Sequence, residues 1–272
     1  MISRRTLLGS IAVGAAPGLL RGAPAEQRKL ACMTMVYRGH SFTRALEGIA
    51  KAGFKYVAPS RNHQGKDVAD VELDLCADFD IRVMVGGGPW YYQKWPNLPK
   101  RDLDFQKEVA AFYVSLEQLL PHAASRKVVM TLKPHTGITA RARDCLAVVK
   151  RLPSDWLKIC WDAGNVSFYE GIYPDPDLAD LAPYVNSVCI KDHQGPRGEN
   201  NFPVPGTGQI DHESMFRILY QAGFHGPMAI ETLAGRDNVM RMPAELVDER
   251  AAAAFKFLSA IADRTARPAG AA

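Results

Sequence analysis

The chain has little that staples, threads or anchors. Its five cysteines (Cys32, Cys76, Cys145, Cys160 and Cys189) are odd in number and contain no C-x-x-C pair, which excludes a disulfide framework and a structural zinc site. Most lie inside apolar segments and read as small core residues. Neither G-x-G-x-x-G nor G-K-[ST] occurs, so the common dinucleotide and phosphate loops are absent. No low-complexity linker marks a domain boundary, and beyond residue 25 no apolar run reaches membrane-spanning length. Excess charge is missing too: the net charge is +4, and Arg4, Arg5 and Arg21 all fall before residue 26, leaving the remainder close to neutral. That balance excludes the basic surface a nucleic acid or an anionic membrane demands.

What is present begins with an address. Ser3-Arg-Arg-Thr-Leu-Leu8, an apolar Gly/Ala-rich run to Leu20 and then Ala23-Pro-Ala25 have the order of a twin-arginine export signal ending in a small-residue cleavage site. We therefore expect residues 1–25 to be a removed leader, residues 26–272 to form one domain, and the mature protein to be periplasmic or secreted. At 272 residues and 47% hydrophobic content, the chain can bury a large core.

From residue 29 onward, strand-like apolar runs alternate with helix-period segments, which asks for a parallel sheet with crossover helices. The runs predict strands at 30–35, 56–58, 82–86, 128–133, 157–162, 187–191 and 228–231. Helices are expected at about 41–52, 70–79, 103–124, 140–151, 211–222 and 247–263, with a short one near 177–182. The fold class is α/β, a parallel (β/α) barrel with seven recognisable strands and one strand–helix unit between about 58 and 82 missing or reduced.

Strand parity then locates a site. Side chains two apart share a face, so Thr131, Lys133 and His135 go together, as do Lys158, Cys160 and Asp162, and Ser187, Cys189, Lys191 and His193. Lys133, Asp162, Lys191 and Glu231 all stand at strand C-terminal ends, the catalytic rim of such a barrel. Two carboxylates and two ammoniums in a poorly hydrated mouth shift one another's proton affinities, as acid/base work requires, or simply close the barrel top as an ion-pair network.

Two loops add substrate candidates. Gly86-Gly-Gly-Pro-Trp-Tyr-Tyr-Gln-Lys-Trp95 carries three glycines and four aromatics, and aromatic faces such as Trp90 pack on sugar rings. A lid, or a contact in a homo-oligomer, is the other reading of this loop. His193 to Phe202 is polar, and its Arg197 can bind a hydroxyl or carboxylate, or point to solvent. Asp211 is placed to cap the helix that follows Pro205-Gly-Thr-Gly208.

Trp161-Asp-Ala-Gly-Asn165, Val188-Cys-Ile-Lys-Asp192, Pro205-Gly-Thr-Gly-Gln-Ile-Asp211 and Ala222-Gly-Phe-His-Gly-Pro-Met-Ala-Ile-Glu231, in order and spacing, resemble the second half of the xylose isomerase-like TIM-barrel superfamily of sugar isomerases and epimerases. The resemblance implies a divalent metal (Mn, Mg, Co or Zn) held by Glu, Asp, His and Glu from strands five to eight. Carried over by position, Asp162 and Glu231 match these metal ligands. Lys133 stands where the first Glu would be, Cys189 where the His would be, and Asn165 where a second His often follows the Asp.

A lysine cannot donate a lone pair to a cation. It can place an ammonium where the metal stood, unless His135 or His193 restores the lost ligands. The resemblance makes Lys133, Glu231 and His135 the catalytic candidates and Trp90, Asn165, Lys191, His193 and Arg197 the substrate-binding ones. The expected function is carbohydrate isomerisation or epimerisation through an enediolate, acting on a small-molecule sugar. The alternatives are a Schiff-base lyase or dehydratase using Lys133, and a sugar-binding barrel without catalysis. The superfamily's DNA-repair endonuclease is excluded, because its zinc-ligand cluster and basic surface are both missing.

Overall fold

The computed structural model describes residues 29–60, 62–64, 66–67, 82–83 and 105–265. The expected leader, the helix expected at 70–79 and the aromatic loop carrying Trp90 lie outside the described residues. Within them the strands are β1 (Leu30–Met33), β2 (Tyr56–Ala58), β3 (Asn62–His63), β4 (Lys66–Asp67), β5 (Arg82–Val83), β6 (Met130–Leu132), β7 (Leu157–Trp161), β8 (Val185–Ile190) and β9 (Met228–Ile230). The α-helices are α1 (Phe42–Lys51), α2 (Phe105–Arg126), α3 (Ala142–Arg151), α4 (Ala163–Glu170), α5 (Leu178–Leu181), α6 (His212–Gln221) and α7 (Ala244–Thr265).

Seven strands form one sheet in the order β5-β2-β1-β9-β8-β7-β6, every neighbour pair parallel. All seven coincide with apolar runs read from the sequence. Because β1 pairs with both β2 and β9, the last strand returns to the first, as a (β/α) barrel requires. β2 and β5 are direct neighbours. The described residues of the interval between them form only a separate antiparallel hairpin, β3 with β4. The outer edges of the described sheet belong to β5 and β6, and an eighth strand would close the barrel there.

The sheet curls. β6 and β9 stand three strand spacings apart, roughly 14 Å across a flat sheet, yet Lys133 at the end of β6 meets Glu231 at the end of β9 at 2.6 Å. Curvature toward a common axis brings such strand ends together, as in a barrel. On the outside of β7, Leu157, Ile159 and Trp161 are buried beneath the helices, while Lys158 and Cys160 take the opposite face, which is the period-2 alternation expected of a barrel strand.

The helices bury one stripe each. Ser41 caps α1 by accepting from Arg44 N at 3.2 Å, and Phe42, Ala45, Leu46 and Ile49 fall on its buried face at helical spacing. α7 answers with Val247, Ala251, Ala254, Leu258 and Ile261. The two helices are clamped by Asp248, which accepts from Tyr37 Oη at 2.9 Å and Arg44 Nη2 at 2.7 Å. Cys32, Cys145 and Cys189 are buried and Cys160 is half-buried, all as free thiols.

Candidate active site

The site grows out of the end of β7. After Trp161 the chain turns into α4, and Asp162 caps that helix, its Oδ1 accepting from Asn165 N at 2.8 Å. Capping uses one carboxylate oxygen and leaves Oδ2 aimed into the barrel mouth. Asn165 then donates through Nδ2 to Pro134 O at 2.7 Å, which pins the turn that carries Lys133. Gly164 leaves a gap that no other residue would: a Cβ there would lie 2.5 Å from Lys191 Cγ and 3.0 Å from Lys191 O. Two short steps past β7 thus place three charged side chains.

Lys133 Nζ lies 3.1 Å from Asp162 Oδ2, 2.6 Å from Glu231 Oε1 and 3.3 Å from Cys189 Sγ. Lys191 Nζ lies 3.1 Å from the same Asp162 Oδ2 and pairs with Glu231 Oε2. Each oxygen of Glu231 therefore holds one ammonium, and all four groups are less than a tenth exposed or nearly so. The quartet of two cations and two anions is neutral.

Electrostatics keeps it ionised. Burial works against the charge on Lys133, but the Glu231 and Asp162 carboxylates outweigh it and raise the lysine well above its usual proton affinity, with the Cys189 sulfur a further acceptor at 3.3 Å. Burial is likewise overcome at Lys191, raised by Asp162 and Glu231. At Glu231 burial favours the neutral form, and Lys133 and Lys191 override it, holding the carboxyl far below the usual carboxylate range. Burial, then Asp162 and Glu231, push the Cys189 thiol well up, so it is a neutral neighbour. These directions correct the premise of the Schiff-base alternative: an imine needs a neutral amine, and the carboxylates hold Lys133 protonated.

Beyond the quartet a cleft of about 640 Å³ opens, lined by Lys133, His135, Asn165, Lys191 and Glu231 and walled by Phe168, Tyr169 and Phe202. His135 stacks on Tyr169 with ring centroids 3.9 Å apart. Burial and the two lysines lower its pKa to about 4, so it faces the cleft as a neutral imidazole at pH 7.

Two expected substrate contacts lie elsewhere. His193 is fully buried, with Nε2 2.9 Å from Glu199 O and Nδ1 2.8 Å from Ser167 Oγ. A carbonyl only accepts, so Nε2 carries the hydrogen and Nδ1 accepts from the hydroxyl. Both ring nitrogens are thereby used, and His193 braces β8 to α4 instead of meeting a ligand or metal. Arg197 donates from Nε to Tyr169 O at 2.6 Å and is not among the cleft-lining residues. Trp90 lies outside the described residues.

Three features escaped the sequence reading. The aromatic wall of Phe168 and Tyr169 sits on α4, a helix the periodicity did not show. Thr232, Asp237 and Asn238, after β9, also line the cleft. Asp192 is a brace: its two oxygens accept from His193 N, Ile210 N, Gly206 N and Gly208 N at 2.8–3.0 Å. No sequence signal marked it, since the Pro205-Gly-Thr-Gly208 loop whose amides it accepts lies well beyond it in the chain. Asp211 caps α6 as expected, accepting from Ser214 N.

The donor atoms of Asp162, Cys189 and Glu231 lie within 4.8 Å of one another, close enough to ligate one ion. Lys133 Nζ, however, lies within 3.3 Å of all three. A protonated ammonium offers no lone pair and repels a divalent cation, so the residues in this arrangement do not fit a metal.

A parallel (β/α) barrel with its ionisable groups gathered on the C-terminal ends of β6–β9 belongs to the barrel enzymes' architectural class. Within that class the chain belongs to the xylose isomerase-like TIM barrel family, whose model matches residues 32–259. It is similar to the L-ribulose-5-phosphate 3-epimerase UlaE of Escherichia coli (strain K12), 25% identical over 170 residues, which is 62% of this chain and 56% of that protein. The chain thus spans little more than half the length of the curated relative. Among solved structures it resembles the D-allulose 3-epimerase from Methylomonas sp. (TM-score 0.64, 18% identity, 86% of this chain and 98% of that one). It also resembles a xylose isomerase-like TIM barrel protein from Mycobacterium smegmatis in complex with magnesium (TM-score 0.66, 14% identity, 89% and 99%). At these identities the structural likeness is one of fold.

Proposed function

We propose that the protein is a carbohydrate isomerase or epimerase that moves a proton on the carbon beside a carbonyl. The neutral Lys133–Asp162–Lys191–Glu231 quartet on the floor of an aromatic-walled cleft carries this reading. A carbonyl oxygen entering the cleft competes with Glu231 for an ammonium. As one ammonium turns to the substrate, it stabilises the oxyanion that develops. The same turn removes one of the two cations that depress Glu231, and the carboxylate becomes a stronger base at the moment it is needed. Tyr169 and Phe202 offer flat faces to the apolar side of a sugar ring, and the neutral His135 supplies a lone pair for a hydroxyl proton. The names of two of the similar proteins, both 3-epimerases, support the same chemistry.

The residue pattern before position 26 supports export by the twin-arginine route and work in the periplasm or beyond it, with residues 26–272 as one barrel domain. The test of function is hydrogen exchange: ketopentoses and ketohexoses are incubated with the protein in heavy water and followed by NMR. Deuterium should enter at the carbon beside the carbonyl, an epimer or isomer should accumulate, and Glu231→Gln should abolish both. Saturable sugar binding with no exchange would sink the enzymatic reading and leave a sugar-binding barrel.

A further inference from the structure

We propose that Lys133 and Lys191 together stand in for a divalent cation, so that this family member is built to work without a metal. The inference rests on the proton-transfer reading above and deepens it by naming what supplies the positive charge. Two ammoniums carry the charge of one divalent ion, and they occupy the same place. Lys133 Nζ sits among the donor atoms of Asp162, Cys189 and Glu231, at 3.1, 3.3 and 2.6 Å. Lys191 completes the arrangement from the other side, taking the second oxygen of Glu231 and sharing Asp162 Oδ2.

The surroundings are shaped for this pair. Lys191 reaches the quartet along Gly164, where any Cβ would collide with its stem at 2.5 Å and its carbonyl at 3.0 Å. Asn165 pins the turn that aims Lys133 by donating to Pro134 O at 2.7 Å. His193, one of the residues that could have rebuilt a ligand set, has both ring nitrogens engaged by Ser167 and Glu199. A divalent ion can enter only if Lys133 leaves, and leaving would strip Glu231 and Asp162 of a buried partner. The pair differs chemically from the ion it replaces. It holds an oxyanion through N–H···O hydrogen bonds and cannot accept a lone pair, so the developing charge is met by donors already in place.

The experiment is a metal titration of the full exported chain. Elemental analysis after dialysis against Mn²⁺, Mg²⁺, Co²⁺ or Zn²⁺, with calorimetric titration, should show no stoichiometric uptake. Neither millimolar metal nor a chelator should shift Tm. Lys133→Glu should bind one metal per chain and gain Tm on metal addition, and Asp162→Asn in that background should remove both effects. Stoichiometric metal in the wild type, lost in Asp162→Asn, overturns the proposal. So does a folded Lys133→Glu that takes up none. If Lys133→Glu fails to fold, the Lys133→Met/Lys191→Met double variant decides instead, with uptake supporting the proposal and none refuting it. Deuterium exchange separates the two readings. Exchange that a chelator abolishes overturns the ammonium pair and keeps the sugar chemistry; a metal-free chain with no exchange keeps the pair and overturns the sugar chemistry.

Discussion

Replacing Asp192 by Asn changes one atom and should cost far more than an ordinary surface charge. The carboxylate is fully buried and receives four backbone N–H groups, two on each oxygen. Asn keeps one acceptor oxygen and turns the other into an NH₂ that faces two N–H donors. Two bonds are lost and the surviving two lose their charge. Hydrogen bonds to a charged acceptor contribute about 1.5–3 kcal/mol each and neutral ones about 1 kcal/mol, so exchanging four of the first for two of the second should destabilise by at least about 4 kcal/mol. That is a large share of a total in the range of about 5–15 kcal/mol, and for a chain of this size it lowers Tm by roughly 10 °C. Urea unfolding followed by circular dichroism measures the loss. Amide exchange places it, because Gly206, Gly208 and Ile210 should gain local openings beyond the global loss that the amides of β1 and β9 report. A loss below about 1 kcal/mol, the size of one neutral bond, with those three amides as slow as in the wild type, would refute the reasoning.

Gly164→Ala tests the close approach of Lys191. Alanine ordinarily favours a helix, but here the new methyl meets a buried stem and a backbone carbonyl, so urea unfolding should show a net loss of about 1–3 kcal/mol; a gain would mean the space is not needed. Glu231→Leu removes the partner of two buried ammoniums and should cost about 3–5 kcal/mol, and adding Lys133→Met should recover part of it, a coupling readable in a double-mutant cycle. His63 and His212 are buried, and burial lowers both pKa values. Below the ordinary histidine value of about 6.5 the unfolded chain takes up these protons first, so stability should fall as pH drops from 7.5 to 5.5. His212→Gln should flatten that slope, and an unchanged slope would remove His212 from the account.

The strands were legible because burial on both faces leaves runs such as Leu30–Met33 and Met228–Ile230 apolar throughout. The charged quartet was legible because Lys133, Asp162, Lys191 and Glu231 stand at or one step past strand ends, where the period-2 rule still holds. His193 shows where the rule stops. β8 ends at Ile190, and Asp192 draws the next residues into its own ring of amide bonds, so parity counted through His193 pointed it at the cleft when the chain had already turned. Arg197 and the residues after β9 lie on loops, where no period exists to read. The eighth strand is a question of adjacency: only the pairing of β2 with β5 shows that the edges of the described sheet are β5 and β6.

Helix α4 was invisible for a different reason. An amphipathic stripe marks a helix with one wet face, and α4 is buried from Ala163 through Phe168. Its polar and aromatic residues instead answer different neighbours. Asp162 caps the helix and anchors both ammoniums, Gly164 makes room for Lys191, and Asn165 holds the Lys133 turn. Ser167 fixes the tautomer of His193 and accepts from Gln209, while Phe168 and Tyr169 form the wall of the cleft. Gly171, at φ 67°, then ends the helix in a conformation that favours glycine. With so many tasks packed into two turns, Ala163 and Val166 alone are left to the core, too few to show a hydrophobic period. The segment that organises the site is therefore the one whose sequence looks least like a helix, and its irregularity follows from the work each side chain does.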